Sequence, residues 1–157
     1  MSPNSVTLEL PGGVLKTFTD LVLDYTGTLS LDGALLPGVR ERLAGLAASL
    51  RITVLTADTF GTAVEQLKGL PVEVRVIQTG IDKANIVREI GPAKVIAIGN
   101  GRNDVPMMTL AGLRIAVIGP EGASVALLQV ADVVVRDIHD ALDLIARPLR
   151  LKATLRD

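Results

Sequence analysis

The sequence contains no cysteine and very few aromatic residues: no tryptophan, one tyrosine and two phenylalanines among 157 residues. Without cysteine, disulfides, thiolate zinc sites and cysteine nucleophiles are excluded. Three aromatic residues are too few to form a surface on which nucleic-acid bases stack. The sixteen basic and seventeen acidic side chains nearly cancel, so no excess of positive charge attracts nucleic acid or anionic lipid.

Long hydrophobic runs are also absent. The longest stretch without a charged residue, 122–131, is about ten residues, whereas a membrane-spanning helix needs about 20. The N-terminus lacks the basic flank and long apolar region of a secretory signal. Since 48% of the residues are apolar, we expect a soluble, cytoplasmic protein with one sizeable core that binds neither membrane nor nucleic acid.

Short apolar runs alternate with helical patterns along most of the chain. Most runs are continuously apolar, which is typical of strands covered on both faces. The alternation predicts an α/β fold with three layers, in which a Rossmann-like parallel sheet of five or six strands has helices on both faces. The predicted strands are 21–25, 52–56, 72–78, 94–99, 114–119 and 132–136, and the predicted helices are 38–50, 60–67, 82–90, 104–111, 124–129 and 138–146.

The two ends of the chain differ from this core. Residues 6–10 and 14–18 flank Pro-Gly-Gly and predict a β-hairpin. Pro148 is expected to end the last helix, leaving an amphipathic tail. We therefore predict one domain over residues 1–157, with the hairpin in 1–19, the core in 20–146 and the tail in 147–157. Hairpin and tail could each cover the domain or contact a partner, including a second copy in a homo-oligomer.

Polar side chains follow the predicted strands, at the edge of a parallel sheet where ligands bind. Carboxylate and carbonyl oxygens suit Mg²⁺, while hydroxyls, lysine and N–H groups at helix starts bind phosphate. This edge therefore predicts a phosphate and Mg²⁺ site, with an aspartate available as nucleophile. The residues concerned are Asp24 and Thr26 at the end of the first core strand, Thr56 and Ala57 at the end of the second, Lys83 at the start of the helix after the third, and Asn100, Asn103 and Asp104 at the end of the fourth.

These motifs resemble the haloacid dehalogenase (HAD) superfamily, and within it the branch similar to P-type ATPases. DYTGTLS at 24–30 is similar to the DKTGTLT phosphorylation motif, and GNGRND at 99–104 resembles GDGxND. Thr56 and Lys83 match the two motifs between them, in the same order. The resemblance spans residues 20 to about 146.

The resemblance implies a mechanism residue by residue. Asp24 would attack phosphorus and form an aspartyl-phosphate, Lys83 would keep Asp24 ionised, and water would complete hydrolysis. The implied sites are catalytic for Asp24, Thr26 and Lys83, phosphate-binding for Thr56, Ala57, Lys83 and Asn103, and Mg²⁺-binding for Asp24, the Thr26 carbonyl, Asn100 and Asp104.

The sequence departs from the family at two positions. Thr26 occupies the place of an aspartate that most members use as general acid and base, and losing such a group typically costs about 10²–10⁴-fold in rate. Asn100 replaces a metal-binding aspartate, so a lower Mg²⁺ affinity is expected. The chain also has no room for an inserted cap domain, only for a small flap within residues 29–38.

The sequence thus predicts a capless, Mg²⁺-dependent phosphohydrolase acting on a small phosphorylated substrate. Two alternatives stay open. A signalling or binding module would also carry Asp, Thr and Lys at strand ends, and the missing general acid favours a persistent phosphoryl group. A catalytically weak scaffold of the same fold is the other alternative.

Overall fold

The central feature of the computed structural model, which describes residues 5–58 and 61–157, is a six-stranded parallel sheet. The strands are β3 (Asp20–Asp24), β6 (Arg51–Thr56), β7 (Glu73–Val76), β8 (Val95–Gly99), β9 (Leu113–Val117) and β10 (Val133–Val135). Their order in the sheet is β10-β9-β8-β3-β6-β7, which places β3 between β6 and β8. The predicted α/β class and parallel sheet are therefore confirmed.

Two short antiparallel hairpins accompany the sheet. One pairs β1 (Val6–Leu10) with β2 (Val14–Phe18), with the predicted bounds. The other pairs β4 (Ser30–Leu31) with β5 (Ala34–Leu35) and is the expected flap. The helices are α1 (Val39–Leu46), α2 (Ala63–Gln66), α3 (Gly80–Ile90), α4 (Val105–Leu110), α5 (Val125–Val130), α6 (Ile138–Ala146) and α7 (Pro148–Leu155).

The sheet separates two apolar layers because side chains alternate between the faces of a strand. Leu21 and Leu23 of β3 pack in one layer with residues of α1 and α6. Val22 packs in the other layer with residues of α3, α4 and α5. Both faces are covered, as the continuously apolar runs predict.

Two predicted helices are clearly shorter in the structure, and the predicted tail is helical. Helix α1 ends at Leu46, four residues before the predicted end, and turns lead from there to Leu50. Helix α2 is a single short turn, and Phe60, where the prediction begins, lies outside the described residues. Helix α6 ends at Ala146, the predicted end, and the segment predicted as an amphipathic tail forms α7. Pro148 begins this helix because its fixed φ and missing N–H suit the first turn.

The tail and the N-terminal hairpin pack on each other. Leu151 of α7 is buried in the same layer as Leu8 and Phe18 of the hairpin, and Lys152 forms an ion pair with Glu9. Of the two alternatives left open for the tail, the structure shows packing against the chain itself.

Between β3 and α1 the chain holds only the β4–β5 flap, and no cap domain is present in the described residues. No helix in the described part of the chain is long and apolar enough to cross a membrane. The carboxyl ends of β3, β6 and β8 consequently meet at an open edge of the sheet.

Candidate active site

Asp24 ends the central strand and is followed by a tight turn. The N–H groups of Thr28 and Leu29 donate to the carbonyl of Tyr25, which curls the chain around the carboxylate. Gly27 makes this turn possible, since its φ of 76° lies in the left-handed region. The Asp24 side chain is 8% exposed. A carboxylate is thus held at the strand end in a nearly dry environment.

Lys83 comes to this carboxylate from the first turns of α3. Thr79 caps the helix by accepting the N–H of Asp82, and the Asp82 carboxylate accepts the N–H of Thr79 in return. The Lys83 side chain is only 1% exposed, and its Nζ lies 2.9 Å from Asp24 Oδ1 and 2.6 Å from Asp104 Oδ1. Lys83 is therefore a buried ammonium of this site and not a solvated residue on the surface of α3.

Asp104 is the second acidic partner of the lysine and is fully buried. Its Oδ2 accepts the N–H groups of Asn100 at 3.1 Å and Gly101 at 3.0 Å, which closes the GNGRND turn around the carboxylate. The absence of a side chain at Gly99 matters here, because a Cβ would lie 2.5 Å from Asp104 Oδ2. The turn therefore fixes Asp104 beside Lys83.

With both carboxylates ionised, the buried side chains of Asp24, Lys83 and Asp104 carry a net negative charge. Burial and, second, the proximity of Asp104 raise the pKa of Asp24 to about 7, although Lys83 and Thr28 act in the opposite direction. Burial disfavours charged Lys83, but its attraction to Asp24 and Asp104 prevails and its pKa is raised. The ammonium thus stays charged between two carboxylates that it cannot fully neutralise.

A small cavity of about 220 Å³ opens at this cluster. Thr26 and Asn100 are half-buried beside it, whereas Ala57 and Asn103 are exposed at its wall. The hydroxyl of Thr56 is buried nearby and accepts the N–H of Asp58 at 2.8 Å. The lining residues are Asp24, Thr26, Ala57, Lys83, Asn100, Gly101, Asn103 and Glu121.

Two polar residues of the site carry no role in the sequence-based prediction. Thr28 Oγ1 lies 3.1 Å from Asp24 Oδ2 and 2.9 Å from Asn100 Oδ1, so it joins the two motifs across 72 residues of chain. Glu121 reaches the cavity from the loop between β9 and α5. The TGTL motif already contains Thr28, but nothing in the sequence pattern singles out Glu121.

Three comparisons relate this chain to known proteins. A family model described as haloacid dehalogenase-like hydrolase matches residues 55–146. An uncharacterized protein of Methanocaldococcus jannaschii is 55% identical over 64 residues, which is 41% of this chain and 69% of that protein. The catalytic domain of the CPx-ATPase CopB-B is 28% identical, with a TM-score of 0.60, and the match covers 71% of this chain and 45% of that one.

A further solved structure has the same fold without close sequence similarity. It is 3-deoxy-D-manno-octulosonate 8-phosphate phosphatase from Moraxella catarrhalis, in complex with magnesium ion, phosphate ion and KDO. It is 17% identical, with a TM-score of 0.64, and the match covers 87% of this chain and 92% of that chain. The family match covers more than half of the sequence, and the chain belongs to the haloacid dehalogenase-like hydrolases.

Proposed function

We propose that this protein is a phosphatase that acts on small phosphorylated compounds through an aspartyl-phosphate on Asp24. The observation that carries the proposal is the buried contact of Lys83 with both Asp24 and Asp104 at the wall of an open cavity. An ammonium beside the attacking oxygen favours the ionised nucleophile and attracts the phosphoryl group of a substrate. The phosphatase fold of the Moraxella catarrhalis enzyme supports the same reaction class.

The residues around Asp24 fit a magnesium ion. Asp24, Asp104, the Asn100 amide and the Thr26 carbonyl offer only hard oxygen donors, which is the donor set that Mg²⁺ prefers. No group of three His, Cys, Asp or Glu side chains suited to a metal is present in the described residues, and magnesium commonly keeps few protein ligands beside water and phosphate. The excess negative charge of the cluster also favours a divalent cation. When bound, Mg²⁺ would neutralise phosphate charge.

Each residue around Asp24 has a separate role in the proposed reaction. Asp24 attacks phosphorus, and Lys83 and Thr56 hold phosphoryl oxygens through N–H and O–H donors. Ala57 and Asn103, at the wall of the cavity, are proposed to complete the phosphate contacts. Thr28 and Asn100 keep the turn that carries Asp24 against the GNGRND turn. Thr26 would offer its carbonyl oxygen to the metal, and its hydroxyl is too poor a proton donor to act as a general acid.

The test is Mg²⁺-dependent release of phosphate from p-nitrophenyl phosphate by the wild type and by Asp24→Asn. We expect release by the wild type to cease on chelation of Mg²⁺ and to fall at least about 10³-fold in the variant, because the amide is a poor nucleophile. The matched control is Asp140→Asn, which removes an exposed carboxylate from α6 and should leave the rate unchanged. Equal rates in wild type and Asp24→Asn would overturn the proposal.

The signalling alternative gives a different result in one further measurement. Incubation with acetyl phosphate would then yield a phosphoprotein that decays slowly and releases no phosphate catalytically. The favouring observation is the lack of a carboxylate at Thr26, since water attacks a phosphoenzyme slowly without a general base. The proposed phosphatase instead predicts that phosphate is released catalytically, over many turnovers.

A further inference from the structure

Phosphate ester hydrolysis needs a proton donor as well as a nucleophile, unless the leaving group is already a good one. Among the described residues that line the cavity, only Asp24, Lys83 and Glu121 have side chains that carry a charge. Asp24 is the proposed nucleophile, and Lys83 is held by two carboxylates. Of the two acids that line the cavity, Glu121 is therefore the one that is neither the proposed nucleophile nor paired with Lys83.

Glu121 is held in place by the flap. Its Oε2 accepts the backbone N–H of Asp32 at 3.0 Å, a contact between residues 89 positions apart. One carboxylate oxygen is thereby fixed, while the other is not engaged by any described residue. Because Gly122 next to it accepts a hydrogen bond from the Asn100 side chain, the loop that carries Glu121 is also fixed to the GNGRND turn.

Glu121 and Asp24 line the same cavity, of about 220 Å³, and Glu121 is exposed to solvent there. A phosphate ester whose phosphorus lies at Asp24 would share this cavity with the Glu121 carboxylate. An acid that lines the same cavity as the nucleophile is placed to act on the bridging oxygen of the ester, directly or through one water.

From this placement, and on the basis of the proposed function, we infer that Glu121 is the general acid and base of the reaction. Asp24 Oδ attacks phosphorus, the bond to the leaving oxygen breaks, and that oxygen takes the electron pair and the proton of the Glu121 carboxyl. In the second step a water oxygen attacks phosphorus as the bond to Asp24 breaks. The ionised Glu121 takes the proton of this water, which restores both side chains and releases phosphate.

The informative variant is Glu121→Gln, because its amide oxygen still accepts the Asp32 N–H while the acidic proton is lost. Release of the leaving group in the first turnover is measured on an alkyl phosphate, β-glycerophosphate, and on p-nitrophenyl phosphate, whose leaving group needs little protonation. We expect the rate of this first release to fall about 10²–10³-fold on the alkyl ester and less than tenfold on the aryl ester, while the later hydrolysis of the phosphoenzyme, common to both esters, slows equally. Glu73→Gln, an exposed residue on β7, is the matched control and should change neither rate.

Glu121→Ala separates chemistry from support of the flap. Its rate on the alkyl ester should fall as far as that of Glu121→Gln, because both variants lack the acidic proton. A displaced flap would add a further loss of rate that is the same for both esters. Equal losses on both esters in Glu121→Gln, or no loss on either, would overturn the inference, as would a wild type that hydrolyses only the aryl ester. A wild type that hydrolyses neither ester would instead overturn the proposed function, which the Asp24→Asn comparison identifies separately.

Discussion

The ammonium of Lys83 lies closer to Asp104 than to the proposed nucleophile, at 2.6 Å against 2.9 Å from Asp24. The buried lysine therefore depends on the GNGRND turn for its position as much as on its own helix. In return, it is the only cation that the described residues place against two carboxylates at this edge of the sheet.

Removing the lysine should destabilise the fold as well as the site. In Lys83→Met the two carboxylates remain buried without a cation, and breaking a buried ion pair by removing one partner typically costs about 3–5 kcal/mol. Urea unfolding in the presence of a chelator measures the change in free energy of unfolding. Lys16→Met, an exposed lysine on β2, is the control, and similar stabilities of the two variants would contradict the buried pairing.

Replacing Asn100 with aspartate should strengthen metal binding but weaken the metal-free protein. The amide of Asn100 donates to the carbonyl of Gly122 at 3.0 Å, and a carboxylate there loses this bond and adds a third negative charge. We expect the metal-free variant to lose about 1–3 kcal/mol of stability and Mg²⁺ to restore it. Calorimetric titration with Mg²⁺ should show tighter binding, and an unchanged titration would contradict the placement of the metal.

A methyl group at Gly27 tests the contact between the two motifs. The φ of 76° is strained for alanine, and the new Cβ would lie 2.5 Å from Asn100 Nδ2. Gly13→Ala has a similar φ of 72° with no atom within 4 Å of the added Cβ, so it measures the backbone cost alone, about 1–2 kcal/mol. Gly27→Ala should lose clearly more stability in urea and also Mg²⁺ affinity, while Gly13→Ala keeps its affinity.

Asp82, which completes the capping box of α3, should make the stability of the protein depend on pH. Hydrogen bonds from the N–H groups of Thr79 and Gln78 lower the pKa of Asp82. Because the folded pKa lies below the unfolded one, the stabilisation is full above the unfolded value of about 3.8 and is lost as the pH falls through the folded pKa. Asp82→Ala should therefore be less stable than wild type at pH 6, and the difference should shrink toward pH 3. A pH-independent difference would contradict this capping role.

The sequence predicts the sheet well because strand signals are local. All six predicted core strands and both strands of the N-terminal hairpin are present in the structure. The sequence predicts helix ends less well. After Leu46 the chain continues in turns with local hydrogen bonds that resemble those of a helix, and α7 packs Leu151 in the same layer as the distant N-terminal hairpin. Runs of apolar residues do not encode these contacts.

The site shows the same division. The sequence places Asp24 and Asp104 at strand ends and Lys83 at the start of the helix after the third strand, and the structure brings the three side chains together. The hydroxyl contact of Thr28 with Asn100 and the arrival of Glu121 at the cavity depend on how two loops meet. In the sequence both residues look like ordinary turn residues, and only the folded structure shows what their side chains contact. The roles assigned to the site residues stay predictions until the variants are measured.

The central position of β3 has a consequence for folding. Asp24 meets Lys83 only after a loop of 59 residues has closed, and Asp104 joins Lys83 across a further 21. Closing long loops costs entropy before the contacts repay it, which slows folds rich in distant pairings. A refolding chain should therefore regain its helical circular dichroism signal before its site is assembled. The Mg²⁺ binding that we propose for this site should then be the last native property to return.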